Sequence, residues 1–385
     1  MPTVPRFRLF ALSALLHAYV GWRLVPALLV WPVAAVLVGV LLVLSAVLMP
    51  AGLLARRASS QRSVRAVAWT GMAAMGLFSS LFVFTLLRDV SLLAVAAVAW
   101  AGPGAIDVAV FDAWSALAVA GSALLVTVIG AWNAQRTAGI VSVDVPLRGL
   151  PAALHGFTIV QISDIHVGPT IGARYVQAIV DAVNRLEPDM VAVTGDLVDG
   201  SVAELAADVA PLAQLASRHG TFFVTGNHEY YSGAHAWIAE LRRLEMRVLL
   251  NEHVVLRRGA AALLVAGVTD PSAHHFDPAH RSSPSAALAG APGEAEVRVL
   301  LAHQPRSAHA AAEAGFHLQL SGHTHGGQFW PWNLFVRFQQ PFTAGLHRLK
   351  DLWVYVSRGT GYWGPPKRFL APSEITRVRL VRADG

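Results

Sequence analysis

Three long stretches of this chain carry no charged side chain: residues 24–55, 66–87 and 113–135. A helix facing water needs a polar stripe, so runs that are apolar all round belong in a core or a bilayer. Each run reaches the roughly 20 residues that a membrane-spanning helix requires. Residues 9–22 form a shorter run that ends at Arg23. It can still span if Arg23 snorkels and the helix continues towards Leu28, with Pro26 and Pro32 marking the turn into the next helix. Residues 90–106 are apolar but interrupted by Gly102-Pro103-Gly104 and Asp107, which reads as a re-entrant or interfacial segment. A cleaved signal peptide would account for the first run only, and no small-residue cleavage site follows it cleanly. Residues 1–140 are therefore expected to be an α-helical membrane domain of about four helices, making this a multi-pass protein of the cell membrane.

Charge supports that division. The net charge of +6 hints at nucleic acid, but all of it lies in residues 1–140, which hold nine Arg and three Asp. Residues 141–385 hold 21 basic and 21 acidic residues and balance to zero. A nucleic-acid binder would gather its excess on one folded surface, so nucleic acid is not expected as a partner. Arginines flanking apolar segments instead report orientation. Arg6 and Arg8 precede the first run, and Arg56, Arg57, Arg62 and Arg65 share one short connection, which puts both on the cytoplasmic side. Arg88 with Asp89, Asp107 and Asp112 suits a loop on the outside. Four spans then leave residue 140 onward in the cytoplasm, whereas a fifth span at residues 90–106 would invert it. Cysteine is absent, which excludes disulfides, thiolate metal sites and a cysteine nucleophile.

Beyond residue 133 the charges return, and short apolar runs alternate with helical patterns. Residues 157–162, 190–193, 221–224, 297–302 and 352–356 read as strands, and residues 175–186 and 202–216 as helices. Residues 272–293, rich in Ala, Pro and Ser, read as a variable loop. Strands alternating with helices predict a layered α/β domain over residues 141–385.

Polar residues gather at the expected strand ends. Ser163-Asp164-Ile165-His166 follows the first strand, Gly195-Asp196-Leu197-Val198-Asp199 the second, and Gly226-Asn227-His228-Glu229 the third. His303 ends a later strand, and Gly322-His323-Thr324-His325-Gly326-Gly327 follows the run at residues 316–320. Singly, an Asp in such a place caps a turn and a lone His is most often surface or satisfied core. Together, five loops offer Asp, His, Asp, Asn and three further His at strand carboxyl ends, where open α/β sheets bind ligands. Nitrogen and oxygen donors without sulfur suit Mn, Fe or Zn.

The order Asp-x-His, Gly-Asp-x-x-Asp, Gly-Asn-His-Glu, His, Gly-His-x-His resembles the calcineurin-like metallophosphoesterases over about residues 157–330. The block Gly-His-Thr-His-Gly-Gly-Gln and the later Ser357-Arg358-Gly359-Thr360-Gly361 resemble its membrane-associated bacterial branch, which includes enzymes similar to UDP-2,3-diacylglucosamine diphosphatase. The resemblance implies two mixed β-sheets flanked by helices and two divalent metal ions. It implies that Asp164, His166 and His325 bind one ion, that Asn227, His303 and His323 bind the other, and that Asp196 bridges them. It gives His228 a catalytic role, contacting the phosphoryl oxygen or protonating the leaving group. The implied function is a membrane-anchored hydrolase of phosphoesters or pyrophosphates, acting on a lipid-linked or amphiphilic phosphate through metal-activated water. A phosphodiesterase for soluble nucleotides, with the helices only as anchor, is the alternative. A non-catalytic metal-binding receptor fits less well, because every ligand position is filled.

Several residues keep two readings. Asp199 and Glu229 either orient a ligand histidine or cap the following helix. Trp330, Trp332 and Phe335 either line an acyl pocket or touch the bilayer, or else pack in the core. Arg358 holds a second phosphate or forms an ion pair. His274-His275 lies in the Ala/Pro/Ser-rich loop and is read as outside the site.

Overall fold

The computed structural model describes residues 6–54, 61–102, 104–293 and 295–383. Two compact units divide the chain: Met1–Asn133 with Gly364–Lys367, and Ala134–Trp363 with Arg368–Gly385.

The first unit is helical. It contains α1 (Arg6–Leu24), α2 (Pro32–Leu54), α3 (Gln61–Ala101) and α4 (Val108–Gln135). Pro32 opens α2, a position where its missing N–H leaves no bond unmade. Three of these helices offer segments long and apolar enough to cross a membrane: Pro32–Leu54, Ser63–Ala101 and Val108–Gln135. The shorter α1, of 19 residues, carries Arg6, Arg8 and Arg23 and does not meet that mark. Side chains of Leu24, Leu28, Leu42, Phe78, Leu81 and Ala116 form the interior. Gly52 and Gly71 let the α2 and α3 backbones touch: a Cβ added at Gly52 would sit 2.8 Å from Gly71 Cα.

Residues 90–101 are not a separate re-entrant segment. They are the end of α3, whose 41 residues give a helix about 60 Å long. Arg88 and Asp89, expected in a loop, lie inside this helix, and Asp112 lies inside α4. The helix continues through them because each charge finds a partner. Arg88 Nη2 lies 2.6 Å from Asp112 Oδ1, and Arg23 Nε lies 2.8 Å from Asp89 Oδ1. The helix stops at Ala101, just before Gly102. Arg56, Arg57 and Pro103 lie outside the described residues.

The second unit stacks two six-stranded sheets. Its strands are β1 (Gly139–Leu147), β2 (Thr158–Ile162), β3 (Met190–Val193), β4 (Thr221–Phe223), β5 (Arg247–Val248), β6 (Glu252–Arg258), β7 (Ala261–Gly267), β8 (Val297–Leu301), β9 (Leu318–Ser321), β10 (Gly345–Leu349), β11 (Leu352–Val356) and β12 (Glu374–Arg382). One sheet runs β1-β12-β2-β3-β4-β5 and the other β10-β11-β9-β8-β7-β6. β2 to β5 are mutually parallel, as are β7, β8, β9 and β11, while β12 joins β2, β6 joins β7 and β10 joins β11 antiparallel. Both sheets are therefore mixed.

Alternation along the strands builds the layers. Ile159, Met190 and Ala192 face the second sheet and meet Leu263, Val299 and Leu318 there. Val160, Ile162, Val191 and Val193 point the other way, onto α5 (Ala173–Asn184), α6 (Val202–Val209) and α8 (Ala234–Arg243). The short α7 (Asn227–Ser232) precedes α8. The outer face of the second sheet is covered by α9 (Pro284–Ala287) and α10 (Ala308–Glu313). Burial on both faces explains why the parallel strands are continuous apolar runs. The helix expected over residues 202–216 ends at Val209 and becomes a 3-10 turn, Ala210–Gln214, where Pro211 has no N–H to continue the α pattern.

Candidate metal centre

All eight expected site residues lie just beyond the carboxyl ends of parallel strands, and the structure brings them together. Asp164 and His166 follow β2, Asp196 follows β3, and Asn227 and His228 open α7 after β4. His303 follows β8, and His323 and His325 follow β9, so the facing sheets contribute to one centre. Turning so many side chains inward bends the backbone sharply. Asp164, His166, Asp196, His323 and His325 all have φ between 51° and 72°. Such left-handed residues cost roughly 1–3 kcal/mol each and persist only where the surroundings hold them. Gly322 permits the closest approach: a Cβ there would fall inside contact distance of Ser163 Oγ and Asp164 Oδ2.

Two buried groups of donors emerge. Asp164, His166 and His325 form the first, with their ligand atoms within 4.8 Å of one another, and Asp196, His303 and His323 form the second. His166 Nε2 lies 3.0 Å from His325 Nε2, and His303 Nε2 lies 3.2 Å from His323 Nδ1. Asp196 stands between the groups, with Oδ2 3.1 Å from His303 Nε2 and 3.9 Å from His166 Nε2. His303 Nδ1 donates to Thr194 O at 2.7 Å, so Nε2 is the ring atom that faces the Asp196 carboxylate, where a proton or a metal ion is needed between them. Among the described residues Asn227 Oδ1 is buried without any hydrogen-bond partner, an orphaned acceptor that a cation would satisfy. The donor set, oxygen and imidazole nitrogen only, fits two divalent ions.

Electrostatics divides the histidines. Burial pushes the His325 imidazole well below its ordinary range, and Arg368 and His166 push it further. Burial also lowers His323, to about 3, aided by His303. Burial works against a charge on His303 as well, but Asp196 and Asp164 outweigh it and raise His303 well above its usual value. For His228 burial is again opposed, by a 2.6 Å hydrogen bond from Nδ1 to Asp199 Oδ1 and by Asp196, and the net result is about 8.

The open readings now separate. Asp199 Oδ1 accepts from both His166 Nδ1, at 3.1 Å, and His228 Nδ1, so one carboxylate orients two imidazoles. Burial would raise its pKa, but those two rings hold it well below the usual carboxylate range. Among the described residues Glu229 forms no hydrogen bond to a histidine that would orient it. Its oxygens accept from the N–H groups of Gly226, Asp196 and Leu197 at 2.6, 3.0 and 2.7 Å, bracing the loop that carries Asp196. Arg358 is an ion-pair residue, with Nη1 2.8 Å from Glu374 Oε2. Trp332 and Phe335 are about half exposed, at 46% and 51%, and so do not pack in the core.

Three contributors were not anticipated. Thr194 supplies the carbonyl that orients His303. Trp363 packs edge-on to His228, with ring centroids 5.7 Å apart. Arg368 is fully buried, and its Nη1 donates to the carbonyls of His325 and Arg358 at 2.9 and 2.7 Å. Its Nη2 lies 2.9 Å from His325 Nδ1. A guanidinium only donates, so a neutral His325 here carries its proton on Nε2, and an ion at Nε2 must displace that proton and re-seat the guanidinium. An arginine in a loop near the C-terminus reads as surface, and nothing local marks it otherwise.

Two facing mixed sheets with two buried His/Asp groups at the strand ends are the layout of a metallophosphoesterase domain. A family model, calcineurin-like phosphoesterase, matches residues 157–327. The chain is 33% identical over 224 residues to an uncharacterized metallophosphoesterase of Aquifex aeolicus, an overlap of 58% of this chain and 84% of that one. It is also 38% and 41% identical to proteins named "Transmembrane protein with metallophosphoesterase domain" from Danio rerio and Bos taurus. Those overlaps take in 68% and 70% of this chain but only 62% of each vertebrate protein. The chain belongs to the calcineurin-like metallophosphoesterase family.

Proposed function

We propose that this protein hydrolyses phosphoester or pyrophosphate bonds in an amphiphilic, lipid-linked substrate at a bilayer surface. The observation that carries the hydrolytic reading is Asp196, whose Oδ2 stands between the two buried donor groups, 3.1 Å from His303 Nε2 and 3.9 Å from His166 Nε2. In this reading Asp164, His166 and His325 hold one divalent ion, Asn227, His303 and His323 hold the other, and Asp196 serves both. The ions are of the Mn, Fe or Zn class, and when bound they activate a water for in-line attack and offset charge on the phosphoryl oxygens. His228 supplies the proton that a leaving alkoxide needs. Asp199 fixes its Nδ1, which leaves Nε2 as the donating atom. Glu229 keeps the Asp196 loop in place without touching substrate.

The amphiphilic substrate is supported by three membrane-length helices in the same chain and by exposed apolar side chains on the sheet unit. Trp363, beside His228, is 54% exposed, and Phe338 and Leu370 are 74% and 70% exposed. Purified full-length protein with Mn²⁺ is expected to turn over a lipid pyrophosphate in mixed micelles faster than dispersed bis-p-nitrophenyl phosphate or p-nitrophenyl phosphate. Preference for the dispersed diester would favour a soluble nucleotide phosphodiesterase with the helices as anchor. Turnover of none of the three, with ions demonstrably bound, would remove the enzyme reading.

For orientation, Arg6 and Arg8 and the sequence cluster Arg56, Arg57, Arg62 and Arg65 inside, with α1 counted as a fourth crossing beside the three membrane-length helices, would set the sheet unit in the cytoplasm. Protease added to right-side-out spheroplasts is expected to leave that unit intact. Its cleavage would place it outside and require three or five crossings.

A further inference from the structure

The Ala/Pro/Ser-rich segment at residues 272–293 contains a pair of histidines, His274 and His275, that face one another and contribute to no donor group among the described residues. A few residues further on the arrangement differs. Asp277 caps a 3-10 turn, Pro278–His280, that ends in His280, and both side chains meet His235 at the start of α8. His235 Nε2 lies 3.0 Å from Asp277 Oδ2, and His280 Nε2 lies 3.9 Å from the same oxygen. All three ligand atoms fall within 4.8 Å of one another.

We propose that His235, Asp277 and His280 form a second metal site, distinct from the centre at the strand ends, which takes one zinc-like divalent cation.

The ligand atoms are presented in the way a cation needs. Asp277 Oδ1 is committed, accepting from Ala279 N–H at 2.9 Å as the cap of the turn. That leaves Oδ2 facing the two rings. His280 Nδ1 lies 2.8 Å from Tyr230 Oη, and Tyr230 Oη lies 3.4 Å from Thr225 Oγ1. With Nδ1–H donating to Tyr230 and the Tyr230 hydroxyl donating to Thr225, Nε2 keeps a lone pair aimed at Asp277. A partner on the far nitrogen that fixes ring and tautomer is the usual companion of a metal-ligating histidine. Two imidazoles and one carboxylate suit zinc, with water completing the tetrahedron. Donors about 2.0–2.1 Å from zinc lie about 3.3 Å apart, so the widest pair must close by up to roughly 1.5 Å. The exposed His235 side chain can make that movement by rotamer change.

An ordinary ion-pair cluster is the competing account: with Tyr230 donating to His280 Nδ1, Nε2–H would face Asp277 Oδ2 without any metal. The two accounts differ in whether zinc is retained. The bound ion would tie the 277–280 turn to α8. Through Tyr230, that turn contacts α7, the helix that carries Asn227 and His228.

Zinc content decides the matter. Full-length wild type, His235→Ala and Asp277→Asn are stripped with chelator, equilibrated with Zn²⁺ and passed through gel filtration in metal-free buffer. Zinc per chain is then counted by plasma mass spectrometry. Asn retains the cap on Ala279, and His235 is exposed, so neither substitution removes a buried contact. Each variant is expected to retain one zinc fewer per chain than wild type, and to lose the part of the zinc-induced rise in melting temperature that this site contributes. Equal zinc content in wild type and both variants overturns the proposal, whatever the strand-end centre binds.

Discussion

Asp196→Ala is expected to lose metal and hydrolytic activity together. Asp196 Oδ2 lies 3.1 Å from His303 Nε2 on one side and 3.9 Å from His166 Nε2 on the other, so removing it takes a ligand from each proposed ion. Its Oδ1 also accepts the His228 N–H at 2.8 Å, which ties α7 to the centre. What remains is a set of imidazoles, Asp164 and an amide, with the carboxylate on the bridging side gone. Metal content by plasma mass spectrometry should fall from two ions towards none, and kcat should fall to the uncatalysed background. A variant that keeps both ions would show that Asp196 is not the bridge. One that loses a single ion would assign it to one side only.

His228→Ala should behave differently. The structure sets His228 close enough to His166 and Asp196 to complete a donor group of its own, so geometry alone allows it to be a ligand or an acid. Two features favour the acid. Its Nδ1 is occupied by Asp199 at 2.6 Å, and the carboxylates around it overcome burial and raise it to about 8. The variant should therefore keep both ions, while kcat falls by about 10²–10⁴, the usual contribution of a positioned proton donor. The loss should shrink for p-nitrophenyl esters, whose leaving group needs little protonation. Loss of an ion from His228→Ala would reassign the residue as a ligand. An equal rate loss on good and poor leaving groups would point to phosphoryl positioning instead.

The two substitutions also show why some of the site was legible before any coordinates. Each of the eight residues sits in a short block directly after an apolar strand, and strand ends are local features of sequence. The strands not read from the sequence are β1, β5, β6, β7, β10 and β12. β5, two residues long, is too short for any period to show. β12 alternates Arg377 and Arg379 with the buried Val378 and Leu380, a pattern that fits a half-buried strand, but its place between β1 and β2 is set only by pairing. The helical unit shows the same limit. Arg88 and Asp89 read as a helix end until Asp112 and Arg23 are seen to pair with them.

By itself the sequence determined the two-part architecture, the three membrane-length apolar runs and the polar residues that the structure gathers at the strand ends. These depend on length, periodicity and composition within windows of some twenty residues, where backbone geometry and the hydrophobic effect act locally. Tertiary structure alone decided how those residues divide the work. It put His166 against His325 across 159 positions of chain, gave Asp199 two histidines to orient, and buried Arg368 behind His325. It also brought His235 to Asp277 and His280 from a loop that looked featureless. Such contacts arise from how sheets and helices stack, so no local pattern records them.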